Sequence, residues 1–309
     1  MTLRQRMARQ LIRYLTSGSH PPLIEPDSAV ALRHLASTVG ARQATILIHD
    51  GRVRVRWPQG FELHYSGEGN SVTYCYVRDG VYEDTELALV AANLRSTDVL
   101  LDIGANAGIY SICAAQTIRS GHIYSFEPLP STFGELRENI ALNQAGHLVT
   151  PVMAALSDHA GEGFITAGFH ASNHLIGPDS TLPKARIVLD TLDDFVAREK
   201  PGQVDFIKID VEGWELPVAQ GGLGTLRRFR PMLLVELMEH PSDFHDRAKP
   251  DHREFLQLMD GLGYQHYVVD DDGQVVAGAN FRPSPAGRSY HNYLFYDPAK
   301  HQPALPART

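Results

Sequence analysis

The sequence predicts an α/β fold built on a mainly parallel sheet, and three observations carry that reading. Short apolar runs at 99–103, 122–126, 149–155, 206–209 and 232–237 have the length and β-branched content of buried strands. Helical stretches such as 109–118 and 131–144 lie between them, as βαβ units require. The run at 99–103 breaks into the turn Gly104-Ala-Asn-Ala-Gly108 and continues directly as a helix. A strand feeding a glycine turn and a helix start is a ligand cradle, because the turn admits close approach and the helix offers free N–H groups.

The 309 residues suit one large α/β domain with an N-terminal extension. Hydrophobic content of 43% and charged content of 21% are those of a globular protein. A formal net charge of −8 argues against a dedicated nucleic-acid binder. Cys75 and Cys113 fit no metal spacing and are too few for a disulfide framework, which favours a reducing cytoplasm. No run approaches the roughly 20 apolar residues of a membrane span.

Residues 1–80 read as an extension of helices and a small β unit. Arg4, Arg6, Arg9 and Arg13 accompany Leu3, Met7, Leu11 and Leu15, which recur every fourth residue and give one apolar helix face. That composition suits a transit peptide or a membrane-surface helix, but the favoured expectation is a helix packed on the domain or on a second subunit, a route to homo-oligomerisation. A second helix is expected over 27–39. From 43 to 76 the period changes to that of hairpin strands, broken at Asp50-Gly51 and Pro58-Gln59-Gly60. The main domain, 81–309, opens with a helix ending near Leu94 and capped by Asp84 or Thr85. Tyr82 and Glu83 stand just before it, near the central turn.

The spacing around that turn selects a ligand. A dinucleotide fingerprint needs G-x-G-x-x-G, whereas Asn106 and Ile109 occupy its second and third glycine positions. Instead Asp102 precedes G-x-x-x-G, and an acid there suits a cationic amine. The next strand ends in Glu127, where an acid takes ribose hydroxyls. Amine plus adenosine without phosphate describes S-adenosylmethionine (SAM). Gly104 and Gly108 would form its cradle and Glu83 would flank its methionine end. Ser157 and Asp158, after the third strand, would pass the adenine edge, with Asp158 accepting from the amino group.

Residues 163–184 look irregular. His170 and His174 stand four apart, but Gly168, Gly177 and Pro178 favour a polar loop over a metal pair, and no metal is expected. Arg186 opens a short strand and Asp190 a capped helix. In the apolar stretch 204–209, Lys208 needs a partner, and Glu236 on the next strand is the candidate. Asp210, Glu212, Glu236, Glu239 and His240 gather at the carboxyl edge where open α/β sheets bind ligands. His240 is the candidate base, having an unperturbed pKa of about 6.5. Asp210 would anchor the cofactor amine and Glu212 would orient an acceptor. A helix over 251–262 and strands over 264–269 and 291–296, joined by the turn Asp270–Gly273, suit a sheet whose last strand inserts antiparallel.

The motifs Val99-Leu-Leu-Asp-Ile-Gly-Ala-Asn-Ala-Gly108, Phe126-Glu-Pro128, Asn139 with Asn143, Ala154-Ala-Leu-Ser-Asp158, Leu189-Asp-Thr-Leu-Asp-Asp-Phe195 and Asp205-Phe-Ile-Lys-Ile-Asp-Val-Glu-Gly213 resemble the FkbM family of SAM-dependent methyltransferases over about 82–298. The resemblance implies a Rossmann-like, seven-stranded class I methyltransferase sheet with its last strand antiparallel. It also implies O-methylation of a hydroxyl on a sugar or secondary metabolite, with Asp102, Gly104, Asn106 and Glu127 lining the cofactor. An NAD-dependent oxidoreductase on a similar sheet is the alternative enzyme, and a non-catalytic SAM- or nucleoside-binding module is the alternative outside catalysis. The partner expected is a small-molecule or glycan acceptor.

Overall fold

The computed structural model describes residues 45–49, 52–65, 71–167, 173–177, 179–238, 252–281 and 290–306. The two expected N-terminal helices, His170, Glu239 and His240 lie outside them.

The chain begins with β1 (Thr45–His49), β2 (Arg52–Arg56) and β3 (Glu62–His64), an antiparallel three-stranded sheet. Its alternation buries Val53, Val55 and Leu63 on one face. Two helices follow, α1 (Ser71–Asp79) and α2 (Asp84–Asn93). Residues 71–76 are thus helical, not part of the hairpin region. Val72, Tyr76 and Val77 recur at helical spacing and are buried, and Tyr76 stacks on Trp57 at 4.4 Å between ring centroids. Neither Asp84 nor Thr85 caps α2. Glu83 is its N-cap, in a left-handed conformation with φ 49°, while the Thr85 hydroxyl donates to the Gly273 carbonyl at 3.0 Å.

The central sheet is built from β4 (Val99–Ile103), β5 (His122–Phe126), β6 (Val149–Val152), β11 (Phe206–Ile209), β12 (Met232–Met238), β13 (Gln265–Val269), β14 (Val275–Ala277) and β15 (Tyr290–Tyr296). Their order is β14-β13-β15-β12-β11-β4-β5-β6. β15 runs antiparallel to both β12 and β13, while β12, β11, β4, β5 and β6 are mutually parallel. This is the class I methyltransferase sheet with its inserted antiparallel strand, extended at one edge by β14. The Asp270–Gly273 turn leads into β14, not into β15 as the sequence suggested. The order reverses at β4, between β5 and β11, and a crevice opens outside the carboxyl ends there.

Helices cover both faces. Under α2, α3 (Ile109–Ala114) and α4 (Pro130–Leu142) lie Leu100, Ile123, Phe206 and Leu234. The small sheet and α1 belong to this same core. Asn139 of α4 and Asn143, the residue that ends it, complete the edge of β3, accepting from the His64 and Glu62 N–H groups at 2.9 and 3.0 Å. An otherwise open strand edge is thereby paired. The opposite face buries Leu101, Ile207, Leu233 and Val235 under α5 (Leu192–Glu199), α6 (Glu215–Gln220), α7 (Leu223–Phe229) and α8 (His252–Gly261).

The stretch that reads as an irregular loop contributes strands. β7 (Ala155–Ser157), β8 (Gly161–Thr166), β9 (Leu175–Ile176) and β10 (Lys184–Thr191) form a second sheet in the order β7-β10-β8-β9. Gly163 lies within it because a Cβ would stand 3.0 Å from Leu189 on β10. A glycine inside a strand marks close approach here, not a loop. Among the described residues no helix is long and apolar enough to cross a membrane.

Candidate cofactor and active site

A cavity of about 420 Å³ runs along the carboxyl edge of β6, β5, β4, β11 and β12, its floor the turn after β4. The N–H groups of Gly104 and Ala105 both donate to the Phe126 carbonyl, at 3.1 and 2.8 Å, which fastens this turn to the end of β5. Gly104 has φ +83°, and a Cβ on it would stand 1.8 Å from the Asp210 carbonyl oxygen. Its immediate reason for being glycine is the end of β11. Gly108 is similarly pressed on α4, with Leu136 Cδ1 2.6 Å from a Cβ position, and it does not line the cavity.

On the β5 side, Glu127 is 7% exposed and lines the cavity. Its carboxylate accepts from the Asn106 N–H at 3.2 Å and the Leu129 N–H at 3.0 Å. Burial pushes its pKa up to about 7 against the pull of those two bonds. Phe126, Leu129, Ala154, Leu156 and Ile165 supply an apolar wall. Ser157 and Asp158, expected at the adenine edge, stand outside the lining. The Ser157 hydroxyl donates to Asp158 at 3.0 Å and accepts from the Trp214 indole at 3.1 Å, and Asp158 pairs with His159.

Asp102 is likewise off the cavity. It is 1% exposed and accepts from the Ser111 hydroxyl on α3 at 2.5 Å. Burial raises it to about 6 despite that bond. Its side chain supports the turn from beneath, so the expected direct contact with a ligand amine is not its place in this structure.

The β11–β12 side is acidic. Glu83, Asp210, Glu212 and Glu236 line it, with Tyr82, Tyr110 and Tyr290. Lys208, 1% exposed, places its ammonium 3.3 Å from Asp210 and 4.9 Å from the centre of the Tyr110 ring. The expected partner Glu236 is therefore replaced by Asp210. Glu236 lies two residues further along β12 than the Lys208 partner Leu234, opposite Asn292 of β15. Burial would lower Lys208, but Asp210, Glu83 and Glu236 outweigh it and hold the ammonium charged. Glu83 accepts from the Tyr110 hydroxyl, and burial takes it up to about 7. Burial, then the Asp210 charge, carries Glu236 well above the usual carboxylate range. Oxygens of Asp210, Glu212 and Glu236 lie within 4.8 Å of one another.

Backbone strain gathers here. Among described non-glycine residues with positive φ, Glu83, Asn106 and Glu212 line the cavity. Left-handed backbone costs a β-substituted residue roughly 1–2 kcal/mol, and its clustering marks a functional site. Sequence reasoning missed Tyr110, Tyr290 and the α1 contributions Val72 and Cys75. The available signal for Tyr110 was its position on the first turn of the helix after the glycine turn.

The FkbM methyltransferase domain matches residues 102–266, just over half of the chain. The hexuronic acid methyltransferase AglP of Haloferax volcanii is 30% identical over 164 residues, covering 52% of this chain and 64% of that protein. The 31-O-demethyl-FK506 methyltransferase FkbM of Streptomyces tacrolimicus is 31% identical over 104 residues, 31% of this chain and 35% of that protein. The chain thus spans less than two thirds of the length of these curated relatives. A solved FkbM methyltransferase from Methylobacillus flagellatus KT is 14% identical, with a TM-score of 0.42, over 94% of this chain and 59% of that one. The match from the acid of β4 into β13 settles the relationship: the chain belongs to the FkbM methyltransferase domain family.

Proposed function

We propose that this chain is a SAM-dependent O-methyltransferase acting on a hydroxyl of a sugar or secondary metabolite in a reducing cytoplasm. The observation that carries the reading is the pairing of two strand ends on one cavity. The strained Asn106 turn presents its N–H to Glu127, leaving an acid beside a turn without the glycines a pyrophosphate requires. The donor set fits the group: Glu127 for a ribose diol, an apolar wall for a base, and Glu83 with Asp210 for an ammonium. The cofactor supplies a methyl group activated by its sulfonium. The chain's own residues hold it, align the acceptor oxygen and handle a proton. Glu212 is assigned to acceptor orientation. The relative named for hexuronic acid supports a sugar among the acceptors to be tried.

The test pairs binding with turnover. Calorimetry should find SAM and S-adenosylhomocysteine binding and NAD failing to bind. Labelled methyl transfer to a panel of hexosides and macrolide alcohols should find an acceptor. NAD binding without SAM binding would replace this reading with the oxidoreductase.

A further inference from the structure

The acid side of the cavity holds more negative groups than its cation can balance. Asp210 and Glu212 reach it from the turn after β11, Glu236 from β12, and Glu83 from the residue before α2. Tyr82, Tyr290 and Asn292 complete the surroundings of Glu236, and Asn292 donates to Glu86 of α2 at 3.4 Å. The cation that these groups share among the described residues is Lys208, and it is closest to Asp210. The Lys208 ammonium is fully buried and makes no hydrogen bond of good geometry, so its charge is spent on the cluster as a whole. Among the described residues neither an ion pair nor a hydrogen bond is made by the Glu236 carboxylate, although it lies within 4.8 Å of two other carboxylates and lines the cavity. Like charges this close cannot all be ionised together, and Glu236, buried and outside ion-pair distance of Lys208, holds the proton.

We propose that Glu236 is the base of the methyl transfer, and that it releases its own proton when a cationic cofactor binds beside it. This rests on the functional reading above. Glu236 takes the proton of the acceptor hydroxyl as the oxygen forms its bond to the methyl carbon. The pair of the breaking carbon–sulfur bond stays on sulfur, so the positive charge lost there reappears as the proton on Glu236. The acid is thereby restored to its neutral form for release of the uncharged product. Asp210, paired with Lys208 at 3.3 Å, stays available to anchor an ammonium.

Calorimetry of the full chain with SAM near pH 7.5, in buffers of different ionisation enthalpy, reads the proton directly. The wild type should release up to about one proton per SAM bound, and markedly less with S-adenosylhomocysteine, which lacks the sulfonium charge. Glu236→Gln should keep SAM affinity within about tenfold while its proton release falls to the S-adenosylhomocysteine level, and Glu236→Asp should restore release. On an acceptor found by the panel, Glu236→Gln should lose about 10²–10⁴ in kcat with little change in the KM for SAM. SAM binding without proton release, or unchanged release in a folded Glu236→Gln, overturns the proposal and leaves Glu83 or His240 as the base. A wild-type chain that binds no SAM overturns the functional reading itself.

Discussion

The two ends of the cavity solve opposite problems. On the β5 side a single acid, Glu127, receives two backbone N–H groups among apolar walls. That end is finished before any ligand arrives. On the β11–β12 side four carboxylates surround one buried ammonium, two of the cavity-lining non-glycine residues there are left-handed, and burial pushes two acids upward. That end is held in electrostatic tension which a positive charge relieves. A neutral, shaped ligand portion belongs at the first end and a cationic one at the second.

The largest effect should come from the turn both ends share. Gly104→Ala forces a Cβ into the Asp210 carbonyl, a backbone obstacle that cannot rotate away. A loss of more than about 4 kcal/mol is expected, read as loss of the cooperative thermal transition. Lys208→Met removes the cation of the acid end. Leaving the partner of a buried pair uncompensated costs about 3–5 kcal/mol. The melting temperature should fall and then partly recover at low pH, as the acid end loses negative charge. An unchanged melt would mean that the acid end is not under tension.

Glu127→Ala separates the ends. It should cost SAM about 2–3 kcal/mol, through the charge-assisted bonds to the ribose hydroxyls. Glu212→Gln should leave SAM affinity nearly intact and raise the KM of the methyl acceptor. Equal effects of the two variants on SAM affinity would erase the distinction.

The smallest effect is on the pH dependence of stability. Burial raises Asp102 to about 6, and Glu83 and Glu127 each to about 7, from ordinary values of 3.8 and 4.5. Between those limits the folded chain binds more protons than the unfolded one. The stability from these groups is complete below about pH 4 and is lost as pH rises through 6 to 7. Burial lowers His64, His122, His266 and His301, which oppose this trend in the same window, so the acid contribution is read by difference: Glu127→Gln should lose less melting temperature than the wild type between pH 5.5 and pH 8.

The ends also differ in how far they can be read from sequence. Strand–turn–helix order and the acid ending β5 follow from short-range patterns, and each is legible in consecutive residues. The pairing of Lys208 was not, because adjacent strands alone suggest Glu236, whereas the turn after β11 folds Asp210 back to within 3.3 Å. Asp102 illustrates the same limit: the motif names it, but Ser111 one helical turn into α3 claims its carboxylate. The second sheet was hidden because Gly168, Gly177 and Pro178 read as loop residues, whereas β8 finds its partner in β10, on the far side of that stretch. The geometry of a turn decides the first case and contacts between separate elements the other two, and no local period encodes either.

The most direct test is the orientation of a bound ligand. A crystal of the full chain with S-adenosylhomocysteine should place the base among Phe126, Leu129, Ala154 and Leu156, the ribose hydroxyls on Glu127, and the ammonium toward Glu83 and Asp210. A ligand bound outside this cavity, or one reversed so that its ammonium meets Glu127 and its base the acid end, would contradict the account.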